Sequence, residues 1–278
     1  MELTDATYET LRAVIHQLCG LALLDDRKYL IRDRLGRVLQ RHALNGFDEL
    51  ALRLMTGQEG GLETEVVDTI LTGETSFLRD PHVFAALAEE VLPDIVRRLE
   101  QPGRPLRIFS AGVSTGQEAY SLAMVAQEHF SGQALPGGEM FSIRATDISA
   151  RALSVASAGI YHARDLERGL DADRRGRYFD AVGDRFKVKA SLRERIAFSR
   201  LNFMDPLPLS DRFDLICCRN VMIYFDEALR RQLCQQFHRL LQPQGWLVLG
   251  AAENLYGLSA DYRSVQLGRN VLCYRRNN

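Results

Sequence analysis

Apolar residues recur every three or four positions through the first part of the chain, which is the spacing of one face of a helix. Four of them between Leu11 and Leu18 form the first such run, and Gly20 marks its end. The same pattern predicts further helices over residues 25–42, 47–57, 61–71 and 81–99. We therefore expect a small all-helical domain over residues 1–90.

The pattern changes after a turn rich in proline and glycine at residues 101–105. Short apolar runs then alternate with helical stretches. The apolar runs are LRIFSAG, FSIRATD, FDLICCR, GWLVLGA and VLCYRR, and the helical stretches cover residues 116–130, 149–157 and 226–241. Strands that alternate with helices predict an α/β fold with a doubly wound, mostly parallel sheet, whose site lies at the carboxyl ends of the strands. We expect this domain to occupy residues 91–278.

One charged stretch, from Gly159 to Phe198, interrupts the alternation. It contains two short strand-like runs, FKVK and RIAFSR. Short strands without long helices between them indicate antiparallel pairing. We therefore predict an inserted antiparallel β-subdomain over about residues 160–200.

Composition excludes several classes of protein. The chain has 278 residues with a formal net charge of -1, so no global field attracts nucleic acid or an anionic membrane. Its five cysteines contain no C-x-x-C spacing, which argues against a disulfide framework and a zinc site. The N-terminus lacks the features of a secretion signal, and no apolar run approaches the roughly 20 residues of a membrane span. We expect a cytoplasmic monomer without a metal ion, a membrane segment or a nucleic-acid partner.

The segment RIFSAGVSTGQEAYSLA combines a strand, a turn of small residues and the start of a helix. Gly112 and Gly116 allow the backbone to bend sharply and to approach a ligand closely. The spacing departs from G-x-G-x-x-G, so an ordinary tight turn between strand and helix is the alternative to a nucleotide loop.

Asp147 ends the next strand, where a carboxylate can accept hydrogen bonds from both hydroxyls of a ribose. It can also be the N-cap of the helix that follows. Both NAD and S-adenosylmethionine bind sheets of this kind. The later order of a strand, a polar segment, a helix and the run PQGWLVLG is typical of class I methyltransferases.

Four motifs add a specific resemblance. In chain order they are TGETSFLRDPHVF, SAGVSTGQEAYSLA, ATDIS and CRNVMIYF. Together they resemble the chemotaxis receptor glutamate methyltransferases, the CheR family, and the likeness covers nearly the whole chain. It begins at GLALLDDRKYLIRDRLGRVLQRH, which is similar to the basic N-terminal helix of that family. The resemblance implies S-adenosylmethionine as cofactor, S-adenosylhomocysteine as product and methyl esters on receptor glutamates.

The resemblance also implies a set of site residues. The cofactor-binding positions are Gly73, Thr75, Arg79, Gly112, Glu118, Asp147, Asn202, Phe203, Arg219 and Asn220. Tyr224 matches the tyrosine that lies near the transferred methyl group.

The chain departs from the family in four places, one of which is Phe203 where the family has leucine. Gly73 stands where the family usually has asparagine, and Gln117 replaces the first of two glutamates. The loop between Phe179 and Phe186 is short, which argues against docking on the C-terminal pentapeptide of a receptor.

The implied chemistry needs no strong general base. A glutamate side chain has an ordinary pKa of about 4.3, so it is already anionic at neutral pH. The site must orient the carboxylate and exclude water. We expect Tyr224 to orient the carboxylate or contact the methyl group, and Arg79 or Arg98 to steer the carboxylate. For Arg79, an ion pair with the methionine carboxylate is the alternative.

A basic helix follows the first helix of the chain. Four arginines fall on one of its faces, namely Arg27, Arg34, Arg37 and Arg41. Ordinary surfaces mix charges of both signs, so a one-sided face indicates an acidic partner, here the glutamates of a receptor. A solvated helix face and a nucleic-acid partner are the alternatives, and the near-neutral net charge argues against the second.

Three other functions remain open at this stage. The first is a catalytically weak module that binds S-adenosylmethionine and signals through it, since Gly73 replaces a cofactor-binding asparagine. The second is a methyltransferase that acts on a small molecule or RNA. The third is a nicotinamide-dependent oxidoreductase.

Overall fold

The computed structural model describes residues 2–57, 60–99, 104–131, 140–208, 211–268 and 270–277. Its N-terminal part contains four helices. They are α1 (Asp5–Cys19), α2 (Lys28–Arg41), α3 (Phe47–Thr56) and α4 (Gly60–Ile70), with a single 3₁₀ turn at Asp25–Arg27 before α2. Helix α1 begins after Thr4, whose hydroxyl accepts a hydrogen bond from the Thr7 N–H, and it ends at Gly20 in the left-handed conformation. The stop predicted at Gly20 is confirmed.

The four helices share one hydrophobic core. Their apolar faces meet around the fully buried side chains of Leu11, Ile31, Leu35, Leu50 and Val66. Helical spacing brings these residues onto facing sides of the helices, so the periodicity of the sequence accounts for the bundle.

The helix predicted over residues 81–99 is interrupted. It consists of α5 (Pro81–Ala86), one π turn (Leu87–Val91) and α6 (Leu92–Arg97). Pro93 has no N–H to donate to the carbonyl four residues earlier, and the wider π turn lies directly before it. The buried side chains of this helix pack into the core of the sheet domain and not into the helical bundle. The break between the domains therefore lies near residues 71–77 and not at residue 90 as predicted.

The second domain alternates strands and helices. In chain order its elements are β1 (Leu106–Ala111), α7 (Gln117–His129), β2 (Phe141–Asp147), α8 (Ala150–Ala158), β3 (Ile160–His162), α9 (Ala163–Glu167), α10 (Ala172–Tyr178), β4 (Phe179–Val182), β5 (Arg185–Val188), α11 (Ala190–Arg193), β6 (Ile196–Arg200), β7 (Phe213–Cys218), a 3₁₀ turn (Met222–Tyr224), α12 (Glu227–Leu240), β8 (Leu241–Leu249), β9 (Tyr262–Leu267) and β10 (Val271–Arg276). Residues 101–103 of the predicted turn before β1 lie outside the described residues.

Seven of these strands form one mixed sheet in the order β6-β2-β1-β7-β8-β10-β9. The five strands from β6 to β8 are parallel, whereas β10 is antiparallel to both of its neighbours. The predicted doubly wound sheet is thus confirmed. Because parallel strands end at the same edge, the loops after β1, β2 and β7 meet there.

The insertion is smaller than predicted. Strands β3, β5 and β4 form a separate antiparallel sheet of three strands. The run RIAFSR, which we assigned to the insertion, instead forms β6 at the edge of the large sheet, where Ile196 pairs with Ile143 of β2. The buried Ile196 joins the core of the large sheet, and this burial explains the difference.

Two further features concern the chain as a whole. All five cysteines are free and buried. Among the described helices, none combines the length and the apolar character that crossing a membrane requires.

Candidate functional site

A cavity of about 1210 Å³ lies between the helical domain and the carboxyl ends of the strands. Its walls come from α2, α4, the segment that joins the two domains and the loops after β1, β2 and β7. The cavity brings together all ten positions predicted to bind a cofactor: Gly73, Thr75, Arg79, Gly112, Glu118, Asp147, Asn202, Phe203, Arg219 and Asn220. Tyr224 lines it as well.

The loop after β1 depends on Gly112. This residue is in the left-handed region with a φ of 77°, and its N–H donates to the Thr146 carbonyl at 2.8 Å. A Cβ atom at Gly112 would lie 2.5 Å from a methyl group of Val221. Glycine therefore allows the loop after β1 to pack directly against the loop after β7.

Asp147 lies at the end of β2, facing the cavity. Its Oδ2 accepts a hydrogen bond from the Ser114 N–H at 2.7 Å, and its Oδ1 accepts one from the Ser149 N–H at 2.9 Å. Burial raises the pKa of Asp147, and these bonds offset part of that effect. The N-cap of α8 is Ser149, whose hydroxyl accepts from the Ala152 N–H. The N-cap alternative for Asp147 is therefore wrong.

A buried charge cluster surrounds Arg219 at the end of β7. One guanidinium nitrogen is 3.2 Å from Glu118 Oε2, and another donates to Asp80 Oδ2 at 2.7 Å. The Arg219 side chain is only 2% exposed, and its guanidinium lies over the ring of Phe84. Burial raises the pKa of Glu118, although the charge of Arg219 opposes that shift. Glu118 lines the cavity and Asp80 is not among the described residues that do, so the two carboxylates hold Arg219 in place at the cavity wall from different sides.

The loop after β7 joins the two domains. Asn220 begins it in the left-handed region, with a φ of 59°. Tyr224 ends it, and the Tyr224 carbonyl accepts a hydrogen bond from the Ala22 N–H at 2.8 Å. The Tyr224 hydroxyl accepts another from the Thr72 hydroxyl at 2.9 Å. The helical domain therefore holds Tyr224 at both its backbone and its side chain.

Asn202 and Phe203 follow β6 at the base of the cavity. The Asn202 amide donates to the Leu18 carbonyl at 2.8 Å, and its oxygen accepts from the Met204 N–H at 3.1 Å. Phe203 is buried and packs edge-on against Phe225. Asn202 thus ties α1 to the sheet domain as well as lining the cavity.

Arg98 is not part of this site. It donates two hydrogen bonds to Asp94 Oδ2, at 2.7 and 3.1 Å. The same oxygen accepts from the Trp246 indole N–H at 2.8 Å and is 3.3 Å from Arg275. These partners hold Arg98 on α6 against β8 and β10, away from the cavity-lining residues. The prediction that Arg98 steers the acceptor is therefore wrong, whereas Arg79 does line the cavity.

The four arginines of the predicted basic face, of which Arg27 directly precedes α2, have three kinds of surroundings. Arg27 and Arg34 line the cavity, and Arg34 donates to the Ile70 carbonyl. Arg41 instead forms an ion pair with Glu65 at 2.8 Å. Arg37 is exposed and forms no ion pair with any described residue. The basic face therefore reaches from the mouth of the cavity to open solvent.

Sequence reasoning missed two carboxylates near the cavity. Asp68 of α4 lines it, and its buried Oδ1 has no hydrogen-bond partner among the described residues. Its charge also adds, after burial, to the raised pKa of Asp147. Glu253 follows β8 and binds the loop after β7. Asp68 lies within an amphipathic helix and Glu253 within a loop, so no motif distinguished either of them.

The sheet order, the reversed C-terminal hairpin and the carboxyl-end cavity with an acid after β2 define a class I methyltransferase fold. Two family models divide the chain at the same place as the hydrophobic cores. The model described as "CheR methyltransferase, all-alpha domain" matches residues 6–71, and "CheR methyltransferase, SAM binding domain" matches residues 73–274. The chain belongs to the CheR methyltransferase family, which confirms the resemblance found in the sequence.

Curated relatives match along almost their whole length. Chemotaxis protein methyltransferase 1 of Pseudomonas aeruginosa is 37% identical over 276 residues, which cover 98% of each chain. Chemotaxis protein methyltransferase Cher2 of Pseudomonas putida is 35% identical over 95% of this chain and 96% of its own. The chemotaxis protein methyltransferase of Vibrio anguillarum is 36% identical over 97% of each chain.

The chemistry of the cavity fits S-adenosylmethionine, the cofactor of this family. The Asp147 oxygens each retain lone pairs for hydroxyl donors such as those of a ribose. Arg79 and Arg219 supply cationic groups for a carboxylate, and the buried Nε of Arg219 has no partner among the described residues. Glu118 and Asp68 add negative charge to a cavity that must accept a sulfonium cation.

Proposed function

We propose that this enzyme transfers a methyl group from S-adenosylmethionine to glutamate side chains of chemoreceptors, in the cytoplasm, as an adaptation step of chemotaxis. Membership of the methyltransferase family and the names of the chemotaxis relatives support the reaction class and the pathway. The observation that carries the choice of acceptor is the position of α2, since Arg27, directly before it, and Arg34, within it, line the cofactor cavity.

The residues of the cavity divide into three roles. Asp147 binds the ribose hydroxyls, since it is an acceptor at the end of β2. Arg79 binds the methionine end of S-adenosylmethionine, together with the buried cluster around Arg219. Tyr224 orients the acceptor carboxylate beside the methyl group, and its two bonds to the helical domain support this role because they restrict its ring.

When bound, S-adenosylmethionine would supply a methyl group on a positively charged sulfur; attack by a carboxylate oxygen of the acceptor would form the ester C–O bond, break the C–S bond and release S-adenosylhomocysteine. Because the acceptor is already anionic at neutral pH, no group of the protein has to remove a proton. The protein contributes orientation of the two reactants and exclusion of water. The closure of the cavity by the helical domain supports exclusion, since α2 and α4 form one of its walls.

Recognition of the receptor rests on charge. Arg37 is exposed on α2, and Arg27 and Arg34 continue the same positive surface to the cavity. A receptor segment that carries several glutamates complements this surface, and complementary charges accelerate encounter. The inserted β-subdomain supports direct recognition of the methylation region without tail docking, because only Gly183 and Asp184 connect β4 to β5.

A transfer assay tests the acceptor. The purified protein is incubated with methyl-labelled S-adenosylmethionine and cytoplasmic receptor fragments, and the label is mapped by mass spectrometry. We expect base-labile label on glutamates, and none on fragments in which those glutamates are replaced by alanine. Label found only in RNA or in a small molecule would contradict the proposal.

The basic surface is tested by charge reversal. We expect Arg37→Glu to raise KM for the receptor fragment by about tenfold at low salt, with less effect at high salt. Arg231→Glu on the exposed face of α12 is the matched control and should leave KM within about twofold of the wild type. S-adenosylhomocysteine affinity should stay unchanged in both variants, since neither residue lines the cavity.

The alternative that the sequence left open, a module that binds the cofactor with little transfer, is not favoured by the match to chemotaxis protein methyltransferases along nearly the whole chain. Calorimetry with S-adenosylhomocysteine, run beside the transfer assay, separates the two. Binding without transfer to any receptor fragment would select the module.

A further inference from the structure

One carboxylate outside the cavity organises the loop after β7. Glu253 Oε2 accepts hydrogen bonds from the backbone N–H groups of Asn220 at 2.7 Å and Gly250 at 2.6 Å. Its Oε1 accepts two more, from Val221 at 2.9 Å and Ile223 at 3.2 Å. Four backbone donors therefore converge on one side chain, at the adjacent ends of β7 and β8.

These bonds hold the backbone of the loop after β7 in a conformation that is unfavourable by itself. Asn220 is left-handed, and a non-glycine residue in that region persists only where surrounding contacts impose it. In another arrangement of the loop these N–H groups would lose a charged acceptor, so the Glu253 carboxylate stabilises this one arrangement over others. Three of its four donors belong to residues that line the cavity, namely Asn220, Val221 and Ile223.

The surroundings of Glu253 leave room for this side chain and little else. A Cβ atom at Gly250 would lie 2.6 Å from Glu253 Oε2 and 2.8 Å from the Asn220 N. Glycine at position 250 is thus what lets the carboxylate reach the loop.

We propose that Glu253 is a positioning residue of the methyl-transfer site. It acts through the backbone of residues 220–223, which places the Asn220 and Tyr224 side chains toward the cofactor. Glu253 is not among the described residues that line the cavity, so it does not touch the cofactor itself. The proposal rests on the cofactor site alone and does not depend on which acceptor receives the methyl group.

Replacement by glutamine tests the role of the carboxylate. A glutamine has one acceptor oxygen and one NH₂ donor. In either orientation the NH₂ faces a pair of backbone N–H donors, so two of the four bonds are lost while shape and volume are retained. Glu227→Gln is the matched control, because Glu227 is an exposed carboxylate of α12 that pairs with Arg231.

Two measurements distinguish positioning from general stabilisation. In Glu253→Gln we expect faster hydrogen exchange at the amides of residues 220, 221, 223 and 250, by about tenfold or more, with unchanged exchange in the middle of β7. We expect the Kd for S-adenosylhomocysteine, measured by calorimetry well below the unfolding temperature, to rise about tenfold. The Glu227→Gln control should match the wild type in both.

The opposite result overturns the proposal. If Glu253→Gln lowers the Tm but binds S-adenosylhomocysteine as tightly as Glu227→Gln, the carboxylate supports the fold and not the site. Should the glutamine variant fail to fold, Glu253→Asp takes its place, because it keeps the charge but shortens the reach by one methylene. Wild-type affinity in a folded Glu253→Asp variant with fast exchange of the loop amides would also overturn the proposal, and weakened affinity would support it.

Discussion

The Thr72 hydroxyl donates a hydrogen bond to the Tyr224 hydroxyl over 2.9 Å, across the boundary between the two domains. Thr72 belongs to the segment that leaves α4, and Tyr224 ends the loop after β7. The Ala22 N–H holds the Tyr224 carbonyl in the same way. The position of the helical domain and the orientation of Tyr224 are therefore coupled, which would link the surface proposed to face the receptor to the proposed site of transfer.

This coupling predicts the behaviour of Tyr224→Phe. The variant keeps the ring but loses a hydrogen bond between neutral groups, worth about 1 kcal/mol net. We expect kcat for methyl transfer to fall by roughly fivefold to tenfold while S-adenosylhomocysteine affinity stays within about twofold. Tyr256→Phe, at a fully exposed tyrosine, is the control. An unchanged kcat in Tyr224→Phe would show that its hydroxyl has no part in orienting the acceptor.

The residues that could be predicted from sequence share one property. Asp147 ends a strand of the parallel sheet, and Gly112 and Asn220 follow two others; parallel strands bring such residues to one edge whatever the details of packing. The family motifs quoted for the chain contain the same residues.

The residues that could not be predicted depend on packing. Arg98 lies four residues after Asp94, a helical spacing that allows an ion pair, but only the tertiary structure shows that Trp246 and Arg275 meet the same carboxylate. Asp68 is one of several polar residues on α4, and nothing in the helical pattern indicates that it faces a cavity. Glu253 acts on a loop 30 residues earlier in the chain, and no local spacing encodes that contact.

The surroundings of Arg98 predict a role in stability alone. Arg98→Ala removes one partner of Asp94, which keeps Trp246 and Arg275. We expect a loss of about 1 kcal/mol in the free energy of unfolding by urea, and unchanged S-adenosylhomocysteine affinity. Arg97→Ala is the matched control, because Arg97 is largely exposed and lies 4.0 Å from Asp94. If Arg98→Ala lost transfer activity but kept full stability, Arg98 would have to be assigned to the site after all.

The raised pKa of Asp147 predicts how cofactor binding depends on pH. Burial raises the pKa of Asp147 above its ordinary 3.8, so the carboxylate takes up a proton at a higher pH than an exposed aspartate does. The protonated form loses acceptor capacity for ribose hydroxyls. We therefore expect S-adenosylhomocysteine affinity, measured by calorimetry, to fall as the pH is lowered through the raised pKa.

The raised pKa of Asp147 has the opposite effect on the stability of the free protein, which it favours at low pH. Because the folded state holds the proton of Asp147 more tightly, this group stabilises the fold below pH 3.8, and that contribution is lost as pH rises through the folded pKa. Asp147→Asn removes both effects. We expect it to weaken binding at neutral pH by about tenfold to a hundredfold, with little pH dependence remaining from this position. A wild-type pH profile in Asp147→Asn would assign the titration to another group.

A substitution at Gly73 provides a test in which the affinity for S-adenosylhomocysteine should increase. It lies outside the left-handed region, and a Cβ atom there would be 3.2 Å from the Ser114 hydroxyl, which donates to the Gly73 carbonyl at 3.0 Å and would need to shift by only a few tenths of an ångström. Asparagine, the usual residue of the family, therefore fits this backbone. We expect Gly73→Asn to bind S-adenosylhomocysteine about threefold to tenfold more tightly in calorimetry, through one added hydrogen bond. Gly73→Ala adds the Cβ without the amide and should show no gain, so equal affinities of the two variants would mean that the cofactor makes no polar contact at this position.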